Sequence, residues 1–270
     1  MEEKALRLSA VFLMILTAVS FVLLPKLPAL HTWEVEAREE RIAEEEFAQS
    51  QVTMQNLKIK EQNEAAGAKG ELSIRLPEGV TGDQIAVSND YVTQTIRVEI
   101  PQADRTYFDS YPVLGNSDYI DGLSYTRQGE MGVIEVTTNK VYELQTEYDA
   151  QNFYFNFLTP HEVYDKVVVI DAGHGGRAVG ANKQGINEKD IDLAIVLKLK
   201  EIFDNSDQNI GVYYTRTDDS NPTFDQRVQL ANKSDADLFI SIHNNSTRSG
   251  RMSGTSGTQV MYDETSEASR

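Results

Sequence analysis

Val167-Val168-Val169-Ile170 runs without a break into Asp171-Ala172-Gly173-His174-Gly175-Gly176. A continuous β-branched run with no polar alternation marks a strand covered on both faces, as in a parallel sheet. The downstream residues fit that reading. Glu188 to Phe203 carries Ile191, Ile195, Leu199 and Ile202 at helical spacing, with Asn187 as the N-cap and Glu188 and Asp190 in the first turn. Residues 210–215 read as a strand. Thr223-Phe224-Asp225-Gln226 is a capping-box sequence opening a helix to about Asn232, and residues 237–242 form another strand. Residues 258–262, TQVMY, are expected to add a fourth. Strands alternating with helices predict an α/β region with a mostly parallel sheet.

In such a sheet, ligands bind beyond the carboxyl ends of the strands. His174 lies four residues past Ile170, and His243 directly follows Ile242. Parallel strands bring both to one edge, and Glu188 opens the helix returning to that edge. Two imidazoles and a carboxylate make a metal site with an open fourth position, as catalytic zinc needs. The bland alternative also stands: two strand-end histidines satisfied by carbonyls, and a first-turn acid favouring the helix dipole. Glycines around His174 allow a sharp turn and leave room for substrate.

Upstream, residues 70–160 change pattern. Residues 71–76, 93–100, 132–138, 142–148 and 152–158 are short β-rich runs, several of them alternating with period 2, such as Ile96, Val98, Ile100 and Phe153, Phe155, Phe157. Turn residues separate them. A small antiparallel β-sandwich-like domain is expected, with its aromatics in the core. Pro160 and the polar residues after it read as a linker, and neither His161 nor His31 is given a role.

Residues 31–69 are largely acidic and helix-favouring, which predicts a solvated stalk, with a short coiled coil as the alternative. Leu8 to Leu24 is 17 residues without a charge, preceded by Lys4 and Arg7. That length suits an uncleaved membrane anchor within residues 1–30; a cleaved signal peptide is the competing reading. Either puts the remainder outside the membrane. A net charge of -17 argues against a nucleic-acid partner, and the absence of cysteine excludes disulfides and thiolate metal sites.

The blocks "VVVIDAGHGG", "NEKDIDLAIVLKLKEIF", "YYTRTDDSNPTFDQRVQLAN" and "ADLFISIHNN", in this order, resemble the zinc-dependent N-acetylmuramoyl-L-alanine amidases of bacterial cell walls. The resemblance implies a three-layer α/β catalytic domain over residues 166–270, with Zn2+ held by His174, Glu188 and His243. It implies peptidoglycan as substrate, cleaved at the amide between N-acetylmuramic acid and L-alanine. Asp171 is expected to orient the turn, and Asn245 to face substrate. Arg216 with Asp218 or Asp219, and Arg227 with Asn232, are expected as buried ion pairs or caps. Asn244 stands where the family pattern leads one to expect alanine. The family's general-base glutamate has no match here: Glu264 and Glu267 fall in an earlier loop, so the base is expected beyond Arg270, and the domain is expected to be C-terminally incomplete. A catalytically impaired wall-binding or regulatory protein is the alternative. The β-domain resembles AMIN targeting modules.

Overall fold

The computed structural model describes residues 55–57, 59–61, 70–244, 254 and 257–262. The chain divides after Ala48, and the N-terminal unit lies outside the described residues, as do Leu8–Leu24 and His31. Among the described residues no helix is long and apolar enough to cross a membrane.

The first region consists of β1 (Gln55–Asn56), β2 (Lys60–Glu61), β3 (Leu72–Arg75), β4 (Ala86–Asp90), β5 (Thr95–Pro101), α1 (Arg105–Ser110), β6 (Leu114–Gly115), β7 (Ile120–Gln128), β8 (Met131–Thr138), β9 (Glu143–Tyr148) and β10 (Asn152–Leu158). They form two five-stranded sheets, ordered β1-β7-β8-β5-β4 and β2-β6-β3-β10-β9. Pairing is antiparallel except between β2 and β6. Alternation decides what faces inward. Ile96, Val98 and Ile100 of β5 meet Phe153, Phe155 and Phe157 of β10 in one shared core.

Beyond the unread β4, β6 and α1, two features depart most from the sequence reading. Residues 55–57 and 59–61, assigned to a helical stalk, are extended and add β1 and β2 to the two sheets. Leu57 and Ile59 explain this: spaced by two, they point the same way and pack on the sandwich core, which outweighs the charge around them. Strand β7, "IDGLSYTRQ", went unread because Gly122 and polar residues break its pattern; a register shift falls between Ile120 and Gly122.

The second region starts at α2 (Pro160–Val163), a single turn where a linker was expected, with Thr159 and Glu162 capping each other. Then come β11 (Lys166–Ala172), the short strands β12 (Asn182–Lys183) and β13 (Ile186–Asn187), α3 (Glu188–Asp204), β14 (Ile210–Tyr214), α4 (Phe224–Lys233) and β15 (Leu238–Ile242). The sheet order is β14-β11-β15, and both pairings are parallel. The capping box at Thr223 and Gln226 forms as its sequence predicts. Residues 258–262, expected as a strand, are exposed and outside any strand.

Strand β11 serves two cores. Val167 and Val169 pack with Tyr213, Leu230 of α4 and Val141 of the sandwich. Ile170 and Ala172 pack with Val196 of α3 and, at the margin, Leu199 and Phe203. The unbroken apolar run thus splits between opposite faces, as its composition requires. From β11 the chain crosses by α3 to one neighbouring strand, then by α4, on the other face, to the other neighbour. Strand order therefore reverses at β11, and the crevice of an open α/β sheet lies at the carboxyl end of such a switch point.

Glu143 joins the two regions. Its carboxylate accepts hydrogen bonds from Tyr213 Oη at 2.6 Å and Tyr91 Oη at 2.9 Å. Burial and the nearby Glu143 charge push both phenols above their usual range.

Candidate metal centre

Three segments converge at the carboxyl end of β11. The first is the turn just beyond that strand. Gly173 donates its N–H to Ile242 O at 3.0 Å, drawing this turn against the end of β15. A Cβ on Gly173 would stand 2.4 Å from Cε1 of His243, so any side chain there would displace that imidazole. His174 sits at φ 57°, a left-handed conformation that costs free energy unless its surroundings impose it.

Two buried arginines impose it. Arg216 donates to Ala172 O, Gly173 O, Asp218 O and Lys189 O at 2.6–3.0 Å. Arg227 donates to Ala172 O at 2.7 Å and to His174 O at 2.8 Å, and pairs with Asp171 Oδ1. The consecutive carbonyls of residues 172, 173 and 174 are thereby each held by a guanidinium, whose planar fork suits several acceptors at once. The expected pairings are met in part. Arg216 takes the carbonyl of Asp218, not a carboxylate. Asp219 pairs instead with Lys189 at 2.7 Å, and the carboxylate on Arg227 comes from Asp171, with Asn232 uninvolved. Short sequence spacing named Asp218 for Arg216, which bonds through its carbonyl, but missed Asp171 for Arg227, the buried acid at the end of β11.

Asp171 ties the three strand ends together. It accepts from Thr215 Oγ1, just past β14, and from Ser241 Oγ of β15, both at 2.6 Å. Burial pushes its carboxyl up, but Arg227 and the two hydroxyls more than offset this and hold it below the usual range. It thus secures the turn from behind.

The second segment is the start of α3. The turn Gln184-Gly185, with both φ positive, links β12 and β13 and delivers the chain to Glu188. Asn187 occupies the N-cap position without a capping bond; its Nδ2 donates to Asp190. Ala181 N donates to Glu188 Oε2 at 2.7 Å, and Asn244 N to Oε1 at 2.9 Å. Burial raises the Glu188 carboxyl, but these amides and the two imidazoles bring it below its ordinary value.

The third segment is the exit from β15. Glu188 Oε1 stands 3.3 Å from His174 Nε2 and 3.2 Å from His243 Nδ1. Ligands about 2.0–2.1 Å from one tetrahedral ion stand about 3.3 Å apart, so both separations fit one shared cation. Asp192, one turn on from Glu188, completes a cluster whose ligand atoms all lie within 4.8 Å of one another. The cluster is closed beneath, where Asp192 is fully buried, and opens at His243, whose side chain is 44% exposed.

The structure therefore brings His174, Glu188 and His243 together, with Asp171 behind them. Asn245 lies outside the described residues. Sequence reasoning missed Asp192, Lys189, Thr215 and Ser241. Of these, only Asp192 had a signal: four residues after Glu188, it shares that residue's helix face.

Comparison with known proteins falls on the same segment. Residues 168–270 match the family described as N-acetylmuramoyl-L-alanine amidase. The chain is 45% identical over 86 residues to the endolysin of Bacillus phage SPP1, covering 32% of this chain and 31% of that protein. It is 41% identical over 78 residues to the N-acetylmuramoyl-L-alanine amidase CwlM of Bacillus licheniformis, covering 29% and 31%. Among solved structures, the catalytic domain of the amidase CwlV from Bacillus (Paenibacillus) polymyxa var. colistinus is 42% identical, covering 30% of this chain and 46% of that one, with a TM-score of 0.29. The chain thus spans less than a third of the length of these two curated relatives. Over residues 168–270, which hold the whole His174, Glu188 and His243 cluster, it is similar to the N-acetylmuramoyl-L-alanine amidase family.

Proposed function

We propose that this protein hydrolyses peptidoglycan at the amide between N-acetylmuramic acid and L-alanine, using Zn2+ held by His174, Glu188 and His243. The observation that carries the reading is the pair of separations, 3.2 and 3.3 Å, between one Glu188 oxygen and two imidazole nitrogens from distant parts of the chain. Zinc at such a site supplies Lewis-acid polarisation of the scissile carbonyl and a water acidified to a pKa of about 7.

The chain's own residues prepare that chemistry. Arg216 and Arg227 hold the His174 turn in its left-handed conformation before substrate arrives, so the ligand geometry is preset. Backbone amides of Ala181 and Asn244 fix the Glu188 carboxylate and keep it ionised, as a metal ligand must be. The opening beside His243 is the side from which a muramoyl-peptide would reach the centre.

The other assignments complete the proposal. Residues 166–270 are part of a three-layer α/β catalytic domain with a mostly parallel sheet. The sandwich acts as an AMIN-like targeting module for the wall. Residues 1–30 place both outside the cytoplasmic membrane, as an anchor or as a cleaved signal, and Asn245 faces substrate.

The test uses purified sacculi and the zinc-loaded chain. Release of stem peptides with a free L-alanine amine, read by mass spectrometry and lost on His243→Ala, is the expected result. Intact sacculi after prolonged incubation would favour the catalytically impaired, wall-binding alternative, and zinc retained by His243→Ala would defeat the ligand assignment itself.

A further inference from the structure

Asp192 is the one charged side chain in the cluster that the trio does not explain. It lies on α3 one turn beyond Glu188 and has no solvent exposure. Its Oδ1 accepts from Asn244 Nδ2 at 2.6 Å, whereas its Oδ2 is buried without any hydrogen-bond partner. A buried carboxylate oxygen with nothing to accept from is costly, and native proteins retain such groups where a cation or a reaction uses them. One Asp192 oxygen also falls within the 4.8 Å cluster of ligand atoms. Asn244 contributes at both points: its amide holds Glu188 and its side chain holds Asp192.

Charge gives the arrangement its sense. Two neutral imidazoles and one carboxylate leave a bound dication with an uncompensated positive charge, at a place partly shielded from water. A second carboxylate beneath it makes the site neutral.

We propose that Asp192 supports the cation site from beneath, adding a second negative charge beside a divalent ion held between His174, Glu188 and His243 and leaving the fourth position open, with Asn244 fixing its orientation. This rests on the metal reading of those three residues. It extends that reading to a residue whose effect is on affinity and on the electrostatics of the ion, from the protein side of the centre.

The experiment is zinc titration of the full chain against a chromophoric chelator, with thermal denaturation of each metal-free variant alongside. Asp192→Asn keeps shape and an acceptor for Asn244 but removes the charge. It should weaken zinc binding by about 10–100-fold, the range found for residues that support metal ligands. Metal-free Asp192→Asn should melt at or above the wild-type temperature, since an unpaired buried charge has gone; a merely structural carboxylate would give the opposite. Wild-type zinc affinity in Asp192→Asn overturns the proposal. His243→Ala separates the two levels: if it loses zinc while Asp192→Asn does not, only the role of Asp192 fails, and if it too keeps wild-type affinity, the metal reading falls with it.

Discussion

Among the described residues of the β-sandwich the buried polar side chains are Ser73, Gln94 and Thr138, all uncharged, and the exposed large hydrophobic residues are Tyr111 and Tyr148. The α/β region does the reverse. Asp171, Glu188, Asp192, Arg216 and Arg227 are buried there, while Ile191, Ile195, Ile202, Phe224, Val228, Leu238 and Phe239 are exposed. One region is held by apolar packing between two sheets. The other is held, at the end where the site lies, by guanidinium and carboxylate groups that must satisfy one another away from water. Buried charge is a poor source of net stability but is costly to disrupt once in place. Its concentration at one end of one sheet marks where specificity of geometry was favoured over packing.

The sharpest way to break this contrast is a matched pair of substitutions. Phe155→Ala empties the centre of the sandwich and should cost about 3–5 kcal/mol. Arg227→Ala leaves the apolar core residues in place, yet should also cost about 3–5 kcal/mol, because Asp171 loses its buried counter-charge. Urea denaturation followed by circular dichroism measures both. A loss below about 1 kcal/mol for Arg227→Ala would mean that the polar network is not what holds the α/β region. Zinc affinity should fall in Arg227→Ala and stay unchanged in Phe155→Ala at temperatures where both are folded.

Acid should distinguish the regions next. The Asp171 carboxyl is depressed in the folded state relative to an unfolded value of about 3.9. Its contribution is therefore present above that value and is lost as pH falls through the lower, folded one. Wild type should show this acid-side loss, and Asp171→Asn should start less stable and depend less on pH over that window. Identical pH profiles would refute the assignment.

A smaller effect is expected where the regions meet. Tyr213→Phe deletes one hydrogen bond to the Glu143 carboxylate and should cost about 1.5–3 kcal/mol, Tyr91 keeping its own bond. Smallest of all, Ile202→Lys on the exposed side of α3, at a residue 59% exposed, should change stability by no more than about 0.5 kcal/mol. A large loss there would show that this face is covered in solution.

The sequence made the centre legible for a definite reason. Strand ends are where apolar runs stop, so His174 and His243 could be placed on a common sheet edge from periodicity and parallel topology alone. Helix α3 shows the limit of the same method. Ile191, Ile195, Leu199 and Ile202 identified a helix over 188–203, one residue short of its observed end, but not its buried face. That face runs through Glu188, Asp192 and Val196 to Leu199 and Phe203, because the site claims the first turns for carboxylates. An apolar pattern cannot reveal a face whose inward residues are charged. The partner of Arg227 was misjudged likewise: charge pairing is a property of three-dimensional proximity, and a neighbour in sequence is only a guess at it. Strands β1 and β2 were hidden by the opposite error, in which a local excess of charge obscured Leu57 and Ile59.

The central position of β11 has a consequence beyond geometry. Its middle is shared by two apolar clusters on opposite faces, and its exit carries His174. Freeing that strand would dismantle both clusters and the ligand turn in one event. An ion bound at its tip, as proposed, would act as a fastener for the whole α/β region, and amide protons along Val167 to Ala172 should exchange with solvent more slowly when zinc is added.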